Sequence, residues 1–327
     1  MKILSVDDDP IFLEIMKSEL TNLGYSDVVQ ASSGNQALDI VRDTTDGIDC
    51  FLLDIDMPGM DGVTLCERLR GDARTRDATI IMVTSRAEME SVERAFSVGA
   101  TDYLNKPLNP LELRGRLKST EALVNERTRN AADNPNAAGG QAFAIDEPIR
   151  LDPSVGCIDY LAMQNFILKL GTMQMFNRAA LAVHVHNIED IYTMMAPDDV
   201  RGTLSDVAEV IVDALGSCPK VMTYAGSGDF VVLLNRARTL DQEAIVEAMS
   251  NALSALGTFY SDFGAPVPVL KVGDPVSHSF LSLSTTDEVI DKAIERARSS
   301  EFEIRYQSNG GVIKPPTKKS SFSLWYQ

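Results

Sequence analysis

A short apolar run that ends in a carboxylate is the feature that most constrains the fold of this chain. The stretch CFLLDIDMPGMDG, from Cys50 to Gly62, has the pattern of a buried strand up to Asp54 and then continues as a turn. A carboxylate at the end of a buried strand is costly unless its surroundings favour negative charge. The pattern therefore predicts a strand end that carries a site with a compensating positive charge.

Short apolar runs alternate with helical patterns through residues 1–130. The runs KILSV, CFLLD, TIIMVTS and TDYLNK are typical of buried strands. Helical patterns follow Pro10 and cover residues 34–43, 63–69, 88–98 and 111–126. Only four strand runs are distinct, but the alternation with five helical patterns predicts five strands, each followed by a helix, and so an α/β domain with a parallel sheet that is covered on both faces.

Polar side chains stand where four of these strands end. Asp7 and Asp8 follow the first run, Asp54 ends the next, and Thr84 and Lys106 end the last two. The carboxyl ends of parallel strands meet at one edge, where three carboxylates repel one another unless a hard cation such as Mg²⁺ binds them. Lys106 and Thr84 suit a phosphoryl group, and an ionised Asp54 can accept one as an acyl phosphate.

The motifs SVDDDP, LLDIDMPGMDG, MVTS and YLNKPL together resemble the receiver domain of two-component response regulators, over residues 1–125. The resemblance implies a flavodoxin-like, doubly wound, five-stranded parallel sheet. It implies that Asp54 is the phosphoacceptor and that Asp7 and Asp8 form the acidic Mg²⁺ pair. Asp54 itself and the backbone carbonyl of Asp56 complete the implied metal ligands.

The same resemblance assigns a switch and partners. It implies that Thr84 and Lys106 contact the phosphoryl oxygens, that Tyr103 moves inward with Thr84, and that Lys106–Pro107 is a cis peptide. The implied phosphoryl donor is a sensor histidine kinase or a phosphotransfer protein. The implied assembly is a homodimer through the fourth helix, fifth strand and fifth helix.

The composition changes after the receiver-like segment. Residues 126–150 contain NAADNPNAAGGQA and are predicted to be a linker, and residues 151–308 are predicted to be a second, α+β or mixed domain. Helical patterns cover 159–177, 198–215, 241–262 and 286–299, and strand patterns cover 179–187, 267–272 and 279–283. The stretch KVMTYAGSGDFVVLL is typical of a hairpin, and the tail 309–327 is interpreted as a frayed C-terminus.

The hairpin carries a second resemblance. TYAGSGDFVVLL looks like the signature hairpin of diguanylate cyclases, the GGDEF domains, with Gly226, Ser227, Gly228 and Asp229 at the signature. LAVHVHNI takes the place of the strand that bears the family's metal-binding aspartates, and DEVIDKAIERARSSEFEIRY is similar to the closing helix and strand. The resemblance implies a nucleotidyl cyclase-like α+β fold.

The catalytic positions of that family have changed here. His184 and His186 replace the two aspartates of the first strand, and Gly228 replaces an acidic neighbour of Asp229. Histidines are poor ligands for Mg²⁺, so the sequence favours a non-catalytic output domain that binds a protein or a nucleotide. The alternatives are an active diguanylate or nucleotidyl cyclase with an atypical metal site, and a Zn²⁺ site at His184 and His186 near Asp229.

Charge and composition exclude other classes. The net charge of −17 and pI near 4.6 argue against nucleic-acid binding, and the sequence has no helix-turn-helix pattern. No apolar run is long enough to insert in a membrane, and the N-terminus lacks a signal-peptide pattern, so a cytoplasmic protein is expected. The four cysteines lack paired spacing and are expected to be reduced and packed.

Overall fold

The first five strands form one parallel sheet, as the alternating pattern predicts. β1 (Ile3–Val6), β2 (Val28–Ala31), β3 (Cys50–Asp54), β4 (Thr79–Thr84) and β5 (Asp102–Asn105) lie in the order β2-β1-β3-β4-β5, parallel at every step. This is the flavodoxin-like strand order. The computed structural model describes residues 1–85, 89–133, 143–151, 155–175, 177–216, 220–235, 242–262, 264–277 and 286–306.

A helix follows each of these strands: α1 (Pro10–Asn22), α2 (Gly34–Asp43), α3 (Gly62–Gly71), α4 (Met89–Ser97) and α5 (Pro110–Asp133). Asp9, Ser33 and Asp61 cap the first three by accepting a hydrogen bond from a backbone N–H of the first turn. β1, β3 and β4 are buried along their whole length, which explains why their sequences are mostly apolar. The sheet and its helices thus enclose the core and leave the carboxyl ends of the strands at one edge.

Three details differ from the sequence-based expectation. β2 is an edge strand that is mostly half-buried, so VVQA lacks the long apolar run that marks the other strands. The helical pattern after Pro10 predicts Phe12, Ile15, Met16, Leu20 and Leu23 on one apolar face, but Ile15 is 49% exposed in α1, whereas Leu13, outside that set, is buried. α5 continues to Asp133, so the first part of the predicted linker, residues 126–133, is helical, and residues 134–142 lie outside the described part.

A second, mixed sheet forms after residue 155. In the described residues it contains β6 (Cys157–Ile158), β7 (Arg178–Val185), β8 (Lys220–Tyr224), β9 (Asp229–Asn235), β10 (Leu270–Val272), β11 (Val276–Ser277) and β12 (Glu303–Ile304). The order is β12-β10-β7-β9-β8-β6, and β11 pairs with β7. β7 is antiparallel to β9, β10 and β11, whereas β6 and β8 are parallel.

The helices of this region are α6 (Tyr160–Met175), α7 (Ile188–Met194), α8 (Pro197–Leu215), α9 (Gln242–Asp262) and α10 (Thr286–Arg298). Four of them confirm predicted helices, and α7, β6 and β11 are short elements that the sequence patterns did not indicate. The strand predicted at 279–283 and the tail 309–327 lie outside the described residues.

By its internal contacts the chain divides into two compact units. The first contains Met1–Ala144, Pro148–Gln174 and Lys220–Tyr224, and the second contains Ile145–Glu147, Met175–Pro219 and Ala225–Gln327. The domain bounds given above remain a sequence-based prediction, with residues 151–174 and 220–224 lying in the first unit.

Two further expectations from the sequence concern reduced cysteines and membrane-spanning helices. Cys50, Cys66 and Cys157 are buried free thiols, as predicted, and Cys218 lies outside the described residues. Among the helices that the structure describes, none combines the length and apolar composition needed to cross a membrane.

Gly62 fixes how closely α3 approaches the end of β3. A Cβ at this position would lie 2.0 Å from the backbone oxygen of Asp54. We expect Gly62→Ala to displace the strand end and to lower the free energy of unfolding by on the order of 1–3 kcal/mol in urea denaturation. Gly71→Ala, at the other end of α3 with open space around it, is the matched control and should be neutral or slightly stabilising. Equal losses in both variants would contradict this role for Gly62.

Candidate functional site

The acidic residues predicted from the sequence meet at the edge where the parallel strands end. Asp7 follows β1 and Asp54 ends β3, and these two strands are neighbours in the sheet. Both side chains are buried, with Asp7 1% and Asp54 6% exposed, whereas Asp8 and Asp56 are exposed. The sheet order therefore supplies a pocket with two buried carboxylates at its base and two exposed acidic residues beside it.

Lys106 joins the two buried carboxylates. Its Nζ lies 2.6 Å from Oδ2 of Asp7 and 3.1 Å from Oδ1 of Asp54. The backbone N–H of Lys106 donates to the carbonyl of Thr84 at 2.8 Å, which ties the end of β5 to the end of β4. The Lys106–Pro107 peptide is cis, as the resemblance implies. One ammonium group thus lies between two carboxylates that come from different strands.

The pKa values follow from burial and from this pairing. Burial raises the pKa of Asp54 to about 6, although its hydrogen bond and charge attraction to Lys106 oppose the rise. Burial lowers the pKa of Lys106, but its hydrogen bonds to Asp7 and Asp54 outweigh this effect and leave the pKa raised. Lys106 therefore stays cationic, and it is the group that favours the ionised form of Asp54.

The predicted switch residues are both buried in the sheet. Thr84 is 1% exposed at the end of β4, and Tyr103 is 3% exposed on β5. The register pairs Met82 with Tyr103 and Thr84 with Asn105, so Thr84 and Tyr103 lie on neighbouring strands. Burial also raises the pKa of the Tyr103 hydroxyl. The structure thus places Thr84 at the same edge as Asp54 and Tyr103 one strand further along the sheet.

The acidic pocket has the donors that a hard cation requires. Within the described residues, Asp7, Asp8 and Asp54 are the one group of three acidic, histidine or cysteine side chains whose ligand atoms all lie within 4.8 Å of one another. Carboxylate oxygens are the ligands that Mg²⁺ and Ca²⁺ prefer. The residues present therefore fit a divalent cation at this edge.

Phe12 also belongs to this site, although sequence reasoning did not single it out. The ammonium of Lys106 lies 4.1 Å from the centroid of its ring, within the range of a cation–π interaction. Phe12 is on α1, and the helical pattern indicated only that it belongs to the apolar face of that helix. An aromatic residue one turn after an acidic pair was the available signal, but nothing in the sequence linked it to Lys106.

Comparison with known proteins agrees with this geometry. Residues 3–118 match the response regulator receiver domain family. A chemotaxis protein CheY homolog from Campylobacter jejuni is 35% identical over 118 residues, which are 36% of this chain and 90% of that protein. This chain belongs to the response regulator family. Receiver domains bind their divalent cation at an acidic pocket, which corresponds here to Asp7, Asp8 and Asp54.

Two longer relatives are named as regulators of transcription. The DNA-binding dual master transcriptional regulator RpaA of Synechocystis sp. is 37% identical over 154 residues, 46% of this chain and 59% of that protein. The probable transcriptional regulator ycf27 of Porphyridium aerugineum is 33% identical over 252 residues, 72% of this chain and 97% of that protein. The chain spans about half the length of the first curated relatives that it matches. No comparison identifies residues 151–308 as a GGDEF domain.

The cyclase-like positions form a different kind of site in the second unit. Asp229 is 2% exposed at the start of β9, directly opposite His184 of β7. Nδ1 of His184 lies 2.9 Å from Oδ1 of Asp229. On the other side, Nη2 and Nε of Arg298 lie 2.5 and 3.1 Å from Oδ2 of Asp229. The carboxylate of Asp229 is therefore enclosed by a guanidinium and an imidazole.

This arrangement does not fit the metals that a cyclase requires. A guanidinium already neutralises the carboxylate of Asp229, and a cation placed beside it would be repelled by Arg298. His186 is exposed, with its ring centroid 6.3 Å from that of His184. Among the described residues, the two histidines and Asp229 do not form a group of three with ligand atoms within 4.8 Å. The Zn²⁺ alternative has no support from this geometry.

The backbone of the hairpin gives a steric reason why residue 228 is a glycine. Gly226, Ser227 and Gly228 all have positive φ, so the turn is left-handed throughout. At Gly228, with φ of +80°, a Cβ would lie 2.9 Å from the carbonyl oxygen of Val185. An acidic side chain at residue 228 would require the backbone to shift. The backbone of the turn therefore favours glycine at residue 228.

Sequence reasoning missed Arg298. It lies in the last turn of α10, where Arg296 and Arg298 are both present and nothing in the pattern distinguishes them. The only available indication was electrostatic: if Asp229 is buried and binds no metal, it requires a cationic side chain as its partner.

We expect Arg298→Met to leave the buried carboxylate of Asp229 without its cation. The free energy of unfolding should fall by about 1–3 kcal/mol, as chemical denaturation would measure. Arg296→Met is the matched control, because Arg296 lies on the same helix and donates to the exposed carbonyl of Pro275. Adding Asp229→Asn to Arg298→Met should recover part of the loss, since an amide is less costly to bury than a carboxylate. A loss of the same size in Arg296→Met would count against the pairing.

Proposed function

We propose that this chain is a response regulator of a two-component phosphorelay that is phosphorylated on Asp54 and that controls a non-catalytic output domain. The observation that carries the proposal is Lys106, whose ammonium lies 2.6 Å from Asp7 and 3.1 Å from Asp54 at the edge of a parallel sheet. A buried carboxylate with one cation beside it and two more acidic groups near it suits a site that receives a phosphoryl group and a metal ion. The proposed receiver is residues 1–125 and the proposed output domain is residues 151–308.

The proposed reaction is a phosphoryl transfer. A carboxylate oxygen of Asp54 forms a bond to phosphorus while the bond from phosphorus to a histidine nitrogen, or to the oxygen of a small acyl phosphate, breaks. The donor's imidazole or carboxylate leaves with the bonding electrons. Lys106 faces the charge that builds up on the phosphoryl oxygens, and the hydroxyl of Thr84 is the proposed donor on the neighbouring strand. The expected partner is a sensor histidine kinase or a phosphotransfer protein.

Mg²⁺ is the proposed metal. Asp7, Asp8 and Asp54 would hold it through carboxylate oxygens, and Asp56 through its backbone carbonyl. When bound, the ion neutralises charge shared between the carboxylates and the incoming phosphoryl oxygens. The protein's part is to hold the ligands at the ends of β1 and β3 and to keep Lys106 between them.

The first test is phosphorylation itself. We expect acetyl phosphate and Mg²⁺ to add one phosphoryl group, seen by intact-protein mass spectrometry and removed by EDTA during the incubation. Asp54→Asn should abolish the adduct, because the amide lacks the nucleophilic carboxylate oxygen. Asp39→Asn, which changes an exposed carboxylate paired with Arg42, is the matched control and should leave the adduct unchanged. An adduct that persists in Asp54→Asn would refute the assignment.

The proposed output is a GGDEF-like domain without cyclase activity that acts by binding a protein or a nucleotide. The support is the local geometry: β7 and β9 place His184 opposite Asp229, and Arg298 pairs with the carboxylate that a metal would need. A homodimer through α4, β5 and α5 is likewise proposed from the resemblance alone.

DNA binding is a second candidate for the output. The observation that favours it is the ycf27 alignment, which extends over 252 residues and 72% of this chain. Against it stands the net charge of −17, because phosphate contacts with basic groups supply most non-specific affinity for DNA. Fluorescence anisotropy with labelled duplex DNA at low salt separates the candidates: binding in that assay would favour the transcriptional one.

We expect the full chain to make no cyclic dinucleotide from GTP with Mg²⁺ or Mn²⁺, with or without phosphorylation of Asp54. The reason is the missing metal site, since a loss of about 3 kcal/mol in transition-state stabilisation alone slows a reaction more than a hundredfold. Chromatography of the reaction mixture provides the measurement. Product formation that disappears in Asp229→Ala would restore the alternative, an active cyclase with an atypical metal site.

A further inference from the structure

A cavity of about 130 Å³ lies beside the C-terminal end of α3. Its walls come from α3, from the turn after α4, and from Arg150 with residues 157–159, which precede α6. All of these residues belong to the first compact unit. A cavity of this volume has room for about four water molecules or for one small organic molecule.

Arg70 places a buried cation in the wall of this cavity. It is 3% exposed, and its guanidinium donates to the carbonyls of Gly99, Arg76 and Ala78 at 2.7, 2.9 and 2.7 Å. Nη2 donates to the hydroxyl of Thr101 at 3.2 Å. A guanidinium has five N–H donors, so one N–H of Nη2 has no acceptor among the described residues. Every acceptor that these residues offer to Arg70 is a neutral oxygen.

Arg150 brings a second positive charge to the same wall. It donates to the carbonyl of Arg76 at 2.5 Å, and this oxygen also accepts from Arg70. Arg150 pairs with Asp159 at 2.9 Å, whereas Arg70 forms no ion pair within the part of the chain that the structure describes. Burial, with a smaller contribution from the charge of Arg150, lowers the pKa of Arg70 to about 9, although Asp159 and Asp77 oppose the fall. Arg70 is therefore a cation that an added negative charge would stabilise.

Another part of the wall is apolar. Val98, Cys157 and Ile158 line the cavity, and Cys157 and Ile158 are both buried. Burial raises the pKa of the Cys157 thiol to about 12, so this side chain is neutral and packs as a small apolar group. The acidic residues of the wall are Glu67, which is exposed, and Asp159, which Arg150 holds. A cationic wall beside an apolar one favours a ligand with an anionic head and a short apolar tail.

We propose that this cavity binds a small organic carboxylate, with its carboxylate facing the two arginines and its short alkyl tail against Val98 and β6. The remaining N–H of Arg70 is the proposed donor to the carboxylate, and charge-assisted hydrogen bonds between arginine and carboxylate are among the strong ones. The site does not depend on Asp54, because the contacts of Arg70 with Ala78 and Thr101 lie just before β4 and β5, at the opposite edge of the sheet.

Isothermal titration calorimetry on the full chain, with sodium butyrate as the probe, tests the proposal. We expect one site with a dissociation constant of about 1 mM or lower. Butylamine has the same tail and the opposite charge and should not bind. Inorganic phosphate should bind at least about tenfold more weakly than butyrate, because it leaves the apolar wall uncovered. The net charge of −17 disfavours non-specific uptake of either anion elsewhere on the chain.

Three variants locate the binding. Val98→Phe keeps both arginines but places a larger side chain at the cavity wall, and it should abolish the binding of butyrate. Arg150→Met should weaken butyrate binding by about tenfold or more, because it removes one of the two positive charges. Arg68→Met is the matched control, since Arg68 is exposed on the same helix as Arg70, and it should bind butyrate like the wild type. Thermal melts followed by circular dichroism verify that each variant is folded.

Four results would overturn the proposal. Absence of butyrate binding to the wild type would mean that the cavity takes no such ligand. Equal binding of butylamine would mean that the arginines do not select for negative charge, and phosphate that binds as tightly as butyrate would mean that the apolar wall plays no part. Equal affinities in folded Arg150→Met and Arg68→Met would place the butyrate somewhere other than this cavity.

Discussion

The compensation of buried negative charge at the ends of β1 and β3 is the constraint on which the rest of the receiver depends. Two unit charges about 4 Å apart repel by about 4 kcal/mol at an effective dielectric constant of about 20. Asp7 and Asp54 are both buried, and Lys106 contacts both of them. One ammonium cannot balance these carboxylates together with Asp8, so the pocket keeps an excess of negative charge. That excess attracts a cation, and the carboxylate donors suit a divalent one.

The sheet is what makes this compensation possible, because each charged group comes from a different strand. The hydrogen bond from Lys106 to the carbonyl of Thr84 sets where β5 ends relative to β4, and the close approach at Gly62 sets where β3 gives way to α3. Displacing either end would move Lys106 or Asp54 away from the pair. The core packing that stabilises the sheet therefore also fixes the positions of the charged side chains in the site.

Sequence reasoning predicted that Asp7, Asp54 and Lys106 lie together because the signals for the strand ends are local. A buried strand followed by a carboxylate can be recognised within about six residues, and the rule that parallel strands end at one edge brings Asp7, Asp54 and Lys106 together. Sequence reasoning missed Phe12 and Arg298 because their roles depend on contacts between elements far apart in the chain. The apolar runs did not indicate β2, because an edge strand needs no unbroken apolar run. The end of α5 was also missed, because residues 126–133 precede a polar, glycine-containing stretch that is typical of a linker. The patterns also gave no sign that α6 belongs to the receiver's core, since an amphipathic helix does not reveal what it packs against.

Buried carboxylates are paired with cationic side chains in both acidic sites, but the balance of charge differs between them. In the receiver, carboxylates outnumber the cation beside them, and the remaining negative charge is open to an ion or a substrate. In the second unit, Asp229 is enclosed by Arg298 and His184, so its charge is balanced within the protein. The ion pair with Arg298 satisfies the buried carboxylate at the start of β9 and reduces its attraction for a further cation. Among the described residues, the excess negative charge thus lies at Asp7, Asp8 and Asp54, whereas the charge of Asp229 is paired within the protein.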